Sequence, residues 1–219
     1  MTTPADLYPP FGLHVVAGSL ELRGMTDELL FELCAVAEAG IHDPDEMPFY
    51  FPWSTAPAGQ LGRNTAAYHW GKRSTFSPED FCLDLVVLLD GRVIGAQGVA
   101  AKHFPVTRTG ETGSWLGRGF QGRGLGTEMR RAMCALLFDH LGFEEITSAA
   151  FLDNPASLAV SRKVGYQPTV VNRIKRREGE LALNQGLVLT PDTFVRGDVP
   201  VQVTGAEAVR SFIGLDAAA

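Results

Sequence analysis

The chain is short of the residues that several protein classes require. Its 219 residues include three cysteines, Cys34, Cys82 and Cys134, odd in number and far apart. They read as reduced, buried thiols, which excludes a disulfide framework and a cysteine-based zinc site. The longest uninterrupted aliphatic run, Leu85 to Leu89, is far shorter than the ~20 residues that span a bilayer, so no membrane partner is expected. The opening MTTPADLYPPF has neither a basic start nor an apolar stretch, so no secretory signal is expected and the cytoplasm is the expected compartment. Basic residues are in deficit, 19 Lys plus Arg against 25 Asp plus Glu, for a formal charge of −6. That excludes a general nucleic-acid coat, which needs clustered cations, and favours cationic partners such as amines. The 24 glycines follow no triplet period, which removes collagen-like structure.

What is present fits one folded unit. The chain is 45% hydrophobic and 20% charged, and a chain of this size buries roughly 70% of its unfolded surface. Residues 1–17, rich in Pro and aromatics, read as an arm lying on the domain. Leu20–Arg23 alternates as a short strand. Thr26 caps a helix with Leu29, Leu30, Leu33, Val36 and Ala37 on one face, ended by Gly40. Residues 41–62 hold four prolines and several aromatics and form an ordered loop, long enough to suspect function; 63–75 is a second helix. His42, Asp43, Asp45 and Glu46 in this loop are interrupted by prolines and read as a solvated turn, so no metal is expected.

The pattern then turns to strands. Phe81–Leu89, a turn at Asp90-Gly91, Arg92–Lys102 and Gly110–Leu116 form a meander. Thr127–Leu141 is an amphipathic helix, Glu145–Phe151 a strand, and Asn154 caps a helix that has Pro155 at its first position and Gly165 past its end. Residues 166–176 and 181–189 make a closing hairpin, and 206–215 a short helix. The expected class is α/β (α+β). The expected division is a domain over 1–190, with its N-terminal arm, and a C-terminal extension over 191–219.

Between the third meander strand and the amphipathic helix lies GRGFQGRGLG, residues 117–126, half of it glycine. Glycines let the backbone approach a ligand without Cβ clashes, and their N–H groups join the helix dipole in an anion site. Arg118 and Arg123 add positive charge. A phosphate or pyrophosphate is the expected ligand. Gly117-x-Gly119-x-x-Gly122 fits the dinucleotide pattern by letter, but an antiparallel meander precedes it where a Rossmann unit needs parallel ones. A Walker loop needs Lys-Ser/Thr after its last glycine, whereas Leu125 follows Gly124.

The register Gln121-Gly-Arg-Gly124-Leu-Gly126 resembles the Q/R-x-x-G-x-G/A signature of the GNAT superfamily of acyl-CoA-dependent N-acyltransferases. Asn154-Pro-Ala-Ser157 and Lys163-Val-Gly165-Tyr166 resemble that family's second landmark, and Glu111-Thr-Gly-Ser-Trp115-Leu116 resembles a strand of its RimJ/RimL branch. The segment HDPDEMPFYFPWS is similar to an actinobacterial RimL-like subgroup that includes proteins associated with succinyl-CoA. The resemblance implies a single mixed, mostly antiparallel sheet with helices on both faces, in which strands 110–116 and 145–151 run parallel and splay apart to admit CoA. Leu116 would then pair with the pantetheine through main chain. Gln121, Gly122, Arg123, Gly124, Leu125, Gly126 and Thr127 would cradle the pyrophosphate, and Asn154 would bond the pantetheine arm.

The implied reaction is transfer of an acyl group from acyl-CoA to a primary amine. Acetyl-CoA is the default donor and succinyl-CoA the competitor. A protein N-terminus, a lysine and a small amine remain open as acceptors, and a homodimer is an expectation of the family. An alkyl amine must lose a proton before attack, a task a carboxylate can perform, and the resemblance to the branch's strand glutamate beside the acyl site implies Glu111 for it. The tyrosine that many family members use as acid is replaced here by Ser161; Ser157, one turn after Asn154, takes the role by resemblance to RimL-like enzymes. The alternative reading is a non-catalytic acyl-CoA sensor on the same fold. Tyr50, Trp53, His69 and Trp70 are expected near an acceptor groove lined by the 41–62 loop, the second helix and the closing hairpin.

Overall fold

A computed structural model describes residues 1–57 and 59–215; Ala58 of the expected loop and residues 216–219 of the expected extension lie outside the described residues. The chain begins with α1 (Pro4–Leu7), a 3-10 turn (Pro9–Gly12), β1 (His14–Ala17), β2 (Leu20–Gly24), α2 (Asp27–Glu38) and α3 (Leu61–Ser74). There follow β3 (Asp80–Leu89), β4 (Arg92–Lys102), α4 (Phe104–Thr107) and β5 (Thr109–Leu116). Next come α5 (Leu125–Ala135), ending in a π-turn (Leu136–His140), then β6 (Glu145–Phe151) and α6 (Pro155–Val164). The chain closes with β7 (Gln167–Arg177), β8 (Glu180–Leu189), β9 (Val201–Thr204) and α7 (Ala206–Phe212).

Among the described residues, nine strands join one mixed sheet in the order β7-β8-β6-β5-β4-β3-β2-β1-β9. The β5–β6 pair is parallel, and its neighbours are antiparallel. Both faces are covered, which explains the continuous apolar run in β3. Leu83, Leu85 and Val87 point to the face under α5 and α7, where Met129, Met133, Val209 and Ile213 pack; Val86 and Leu88 point to the other face, with Leu30 and Leu33 of α2 and Ala66 of α3.

The local signals act as their chemistry predicts. The Thr26 hydroxyl accepts from the Leu29 N–H at the start of α2. Asn154 caps α6, and Gly165 ends it at φ +105°, in the left-handed region. Two segments differ from expectation. The arm over 1–17 contains a strand, β1, too short to show an alternating pattern and held by β2 on one side and the remote β9 on the other. Residues 191–215, expected as an extension, supply β9 to the sheet edge and α7 to the core, with Val209 and Ile213 fully buried.

Candidate active site

The parallel pairing of β5 with β6 covers Thr109–Glu145, Gly110–Ile146 and Glu111–Thr147. β5 then runs on to Leu116 and β6 to Phe151, and beyond Glu111 no main-chain pair joins the two strands among the described residues. Side chains close the vertex: the Thr112 hydroxyl donates to the Thr147 carbonyl (3.2 Å), and the Ser148 hydroxyl to the Thr112 carbonyl (3.1 Å). Each strand keeps its outer neighbour, β4 or β8, so the divergence opens a gap inside the sheet. The Thr112 carbonyl faces β6; by the two-residue period of a strand, the main chain of Ser114 and Leu116 faces the gap too. The Leu116 carbonyl is taken by the Gln121 amide, which leaves the Ser114 main chain and the Leu116 N–H for a ligand with amide groups to pair with.

The open end of the gap leads to the glycine segment. Gly122 and Gly124 have φ of +73° and +84°, and a Cβ built on either would meet nothing within 4 Å, so this backbone is bare to an approaching ligand. Gly124 stands at the N-cap of α5 with no side-chain cap, which leaves the first N–H groups of the helix available. Arg123 is exposed, and Thr127 is buried in the first turn. Leu125 packs against the core, and a Cβ at Gly126 would sit 3.6 Å from Val160 of α6. Gln121 is committed to the loop itself: its amide donates to the carbonyls of Ile41 (2.6 Å) and Leu116 (2.8 Å). Arg118 pairs with Asp43 at 3.1 Å. Together these bonds staple the 41–62 loop to the end of β5, where Trp53 lies 5.7 Å from Trp115, ring centre to ring centre.

On α6, the Asn154 side-chain Oδ1 accepts from the Ser157 N–H (3.0 Å); the cap leaves the Asn154 NH2 as a donor. Ser157 is half-buried in the first turn. Ser161, where many family members carry tyrosine, is 1% exposed, and its hydroxyl has no partner among the described residues.

Glu111 sits at the vertex, in the last parallel pair, and its side chain is exposed. It lines an open cavity of about 430 Å³ with Glu145, Thr147, Thr169, Gly186 and Val188. The cavity wall carries two carboxylates and, among the described residues, no Lys or Arg. Thr169, Gly186 and Val188 of the closing hairpin line it, and no residue of the 41–62 loop or α3 does. His69 is buried against Asp84 (3.2 Å), and Trp70 is exposed with its indole N–H on Asp27 (3.0 Å). Tyr50 is also exposed, against Phe51.

A buried polar network absent from the sequence-derived site lies on the other side of the gap. Arg130 of α5 is 5% exposed. Its guanidinium donates to Ser114 Oγ on β5 (2.8 Å), Gln97 Oε1 on β4 (3.3 Å) and Ser148 Oγ on β6 (3.5 Å). It also faces the ring of Tyr166 at 5.8 Å, whose hydroxyl bonds Thr112 Oγ1 at 2.8 Å. Burial pushes the Tyr166 hydroxyl well above its ordinary range and the Cys134 thiol beside it up to about 11. The available sequence signal was a cation at helical spacing with Met133 and Leu137, in the apolar stripe of α5.

A mixed sheet whose parallel β5–β6 pair parts toward a glycine-rich helix N-terminus is the architecture of an acyltransferase fold. The chain belongs to the GNAT acetyltransferase family: the acetyltransferase (GNAT) domain model matches residues 19–167. Solved structures share the fold at low identity. A RimL ribosomal L7/L12 α-N-protein acetyltransferase in complex with coenzyme A superposes at TM-score 0.64 and 15% identity, covering 81% of this chain and 97% of that one. Mycobacterium smegmatis RimJ in complex with a CoA disulfide gives 0.64 and 14%, covering 90% and 92%. The microcin C7 self-immunity acetyltransferase MccE, bound to acetyl-CoA and AMP, gives 0.60 and 14%, covering 79% and 93%. Among the described residues no cluster of three or more His, Cys, Asp or Glu side chains could hold a metal ion, and no helix is long and apolar enough to cross a membrane.

Proposed function

We propose that this protein transfers an acetyl group from acetyl-CoA to a primary amine, by direct attack with both substrates bound. The observation that carries the reading is the β5–β6 gap opening onto the bare backbone at Gly122 and Gly124. The pyrophosphate rests on residues 121–127, the pantetheine pairs with the main chain of Ser114 and Leu116, and the Asn154 NH2 bonds its arm. This brings the thioester to the vertex, beside Glu111.

The attacking amine loses its proton to Glu111, directly or through a water. The nitrogen then forms its bond to the acyl carbon, the C–S bond breaks, and the electron pair leaves on sulfur. Ser157, in the first turn of α6, is assigned the proton donor to that sulfur. Holding the two reactants in place is worth about 7–11 kcal/mol of the barrier, so neither a covalent enzyme intermediate nor a metal is required by the scheme.

The cavity beside Glu111 supports acetyl over succinyl. Glu111 and Glu145 repel a succinyl carboxylate and attract an ammonium. An amine on a protein N-terminus, also the acceptor in the named activity of the RimL relative, suits the open cavity lined by Glu111 and Glu145. The three free thiols are consistent with a cytoplasmic setting.

The test is binding followed by turnover. Acetyl-CoA at ~100 times its Kd should stabilise the native state by about 2.7 kcal/mol in thermal unfolding, with NAD and NADP inert. Acetyl transfer to a panel of N-terminal peptides, lysine peptides and small amines then tests catalysis. Stabilisation by NAD alone would refute the reading. Tight acyl-CoA binding without turnover on any amine would favour the sensor that the buried Ser161 keeps in view.

A further inference from the structure

Arg130 is a permanent cation, since a guanidinium does not deprotonate in a protein. It is buried, and the groups it bonds are all neutral oxygens: Ser114 Oγ, Gln97 Oε1 and Ser148 Oγ. Among the described residues it has no carboxylate within ion-pairing distance. A buried charge without a counter-charge is costly, and such an arrangement persists where something else makes use of it. Its location is specific. Ser148 is the residue after the last parallel pair on β6, and Ser114 stands on β5 where the gap has opened, so one guanidinium bridges both lips just beyond the vertex.

Negative charge arrives at this place during the reaction, when the C–S bond breaks and an electron pair is left on sulfur. We infer that the buried charge of Arg130, held across the gap by Ser114 and Ser148, stabilises the sulfur anion of departing CoA. This rests on the acyl-CoA reading above. It divides the work of the site: Glu111, on the opposite face of the sheet, takes the amine proton, while Arg130 makes the thiolate a better leaving group before any proton reaches it. The same charge lowers the demand on an acid, in a chain where the usual tyrosine is a serine.

The groups around Arg130 leave the relevant pH range clear. Gln97 on β4 and the two serines on β5 and β6 do not titrate. Burial pushes the Cys134 thiol on α5 and the Tyr166 hydroxyl just before β7 upward, away from this range. A CoA thiol with an ordinary thiol pKa near ~8.5 is therefore the group whose ionisation the cation would favour.

The experiment compares CoA with desulfo-CoA, which keeps the phosphates and lacks the thiol, by titration calorimetry from pH 6.5 to pH 9. In the wild type, CoA should gain affinity over desulfo-CoA by about threefold or more across this range, approaching about tenfold for a one-unit fall in thiol pKa. Arg130→Met should abolish that gain while the desulfo-CoA affinity stays within about twofold, and kcat should fall more than the KM for acetyl-CoA changes. Arg130→Gln keeps hydrogen bonds to the serines without the charge, and should also lose the gain; it serves if the methionine variant does not fold. If CoA and desulfo-CoA respond alike in the wild type, or the gain survives in either folded variant, Arg130 merely props the strands and the inference is overturned. If neither ligand binds the wild type, the acyl-CoA reading itself fails and takes the inference with it.

Discussion

Gly124 and Glu111 carry different burdens, and substitution separates them. At Gly124 a side chain has open space but an unfavourable backbone, φ +84°. Gly124→Ala should therefore cost about 1–2 kcal/mol of stability, the ordinary cost of a left-handed residue, and leave acyl-CoA affinity within a few-fold. Gly124→Glu adds bulk and negative charge where the pyrophosphate is proposed to rest. Its Kd for acetyl-CoA should rise at least about tenfold beyond that of the alanine variant, or about 1.4 kcal/mol. Equal affinities in calorimetry would move the phosphate site elsewhere. Glu111→Gln keeps the shape of the vertex and removes the base. Its kcat should drop about 100-fold or more with the Kd for CoA unchanged, and most at low pH, where the amine holds its proton more firmly. Full turnover across pH would remove Glu111 from the chemistry. Gly124 and Glu111 both stand out as candidates in the sequence because each belongs to a local pattern: glycines before a helix, an acid in a strand motif. Arg130 does not, since its meaning depends on Ser114 and Ser148, which the fold alone brings to it.

Among the elements, the β7–β8 hairpin forms one wall of the Glu111 cavity, through Thr169, Gly186 and Val188. Its far end is held by charge. Glu180 bonds Arg176 and, at 2.6 Å, Arg177; Arg176 also reaches Asp153 at 2.9 Å, after β6. The arginines hold the Glu180 carboxyl down at about 2, below the ordinary ~4.3. A depressed carboxylate contributes in full above its ordinary pKa and loses that contribution as the pH falls toward the folded value. The clasp should therefore loosen between about pH 4.5 and 2, and Glu180→Gln should make the hairpin amides exchange faster at pH 7 than in the wild type. Hydrogen exchange reads this locally; unchanged protection would make the clasp a surface ornament. The hairpin itself was legible, as two strand runs around Glu178-Gly179. The acceptor groove was expected to involve the 41–62 loop as well, whose length suggested function; no residue of that loop lines this cavity, and Gln121 and Trp115 pin the loop beside the gap with Tyr50 facing outward.

At the scale of the whole molecule, the chain's last described segment supports the site from a distance. The family match ends at residue 167, yet β9 pairs with β1, and α7 buries Val209 and Ile213 against the same core as α5. Polar bonds tie that segment to the far end of α5: Arg210 Nη1 donates to the His140 carbonyl at 2.9 Å, and Arg196 pairs with Asp139. The opposite end of α5 carries the bare glycine backbone, and its middle carries Arg130. A helix fixed at its C-terminal end and stitched to the gap at its centre presents its N-terminal N–H groups in one orientation. Sequence left this segment uncertain because four-residue strands and a short helix give weak periodicity, and their partners lie at the opposite end of the chain. Ile213→Ala should cost about 2–5 kcal/mol in urea unfolding, the range for deleting buried aliphatic bulk. Removing everything after residue 190 should cost more, because it also uncovers the β1 edge, and it should leave the protein largely unfolded at 37 °C given total stabilities of about 5–15 kcal/mol. Acetyl-CoA should rescue Ile213→Ala in proportion to its binding energy, shifting the urea midpoint as it does for wild type. A truncated chain that unfolds at the wild-type urea concentration would show that α5 needs no support from the tail.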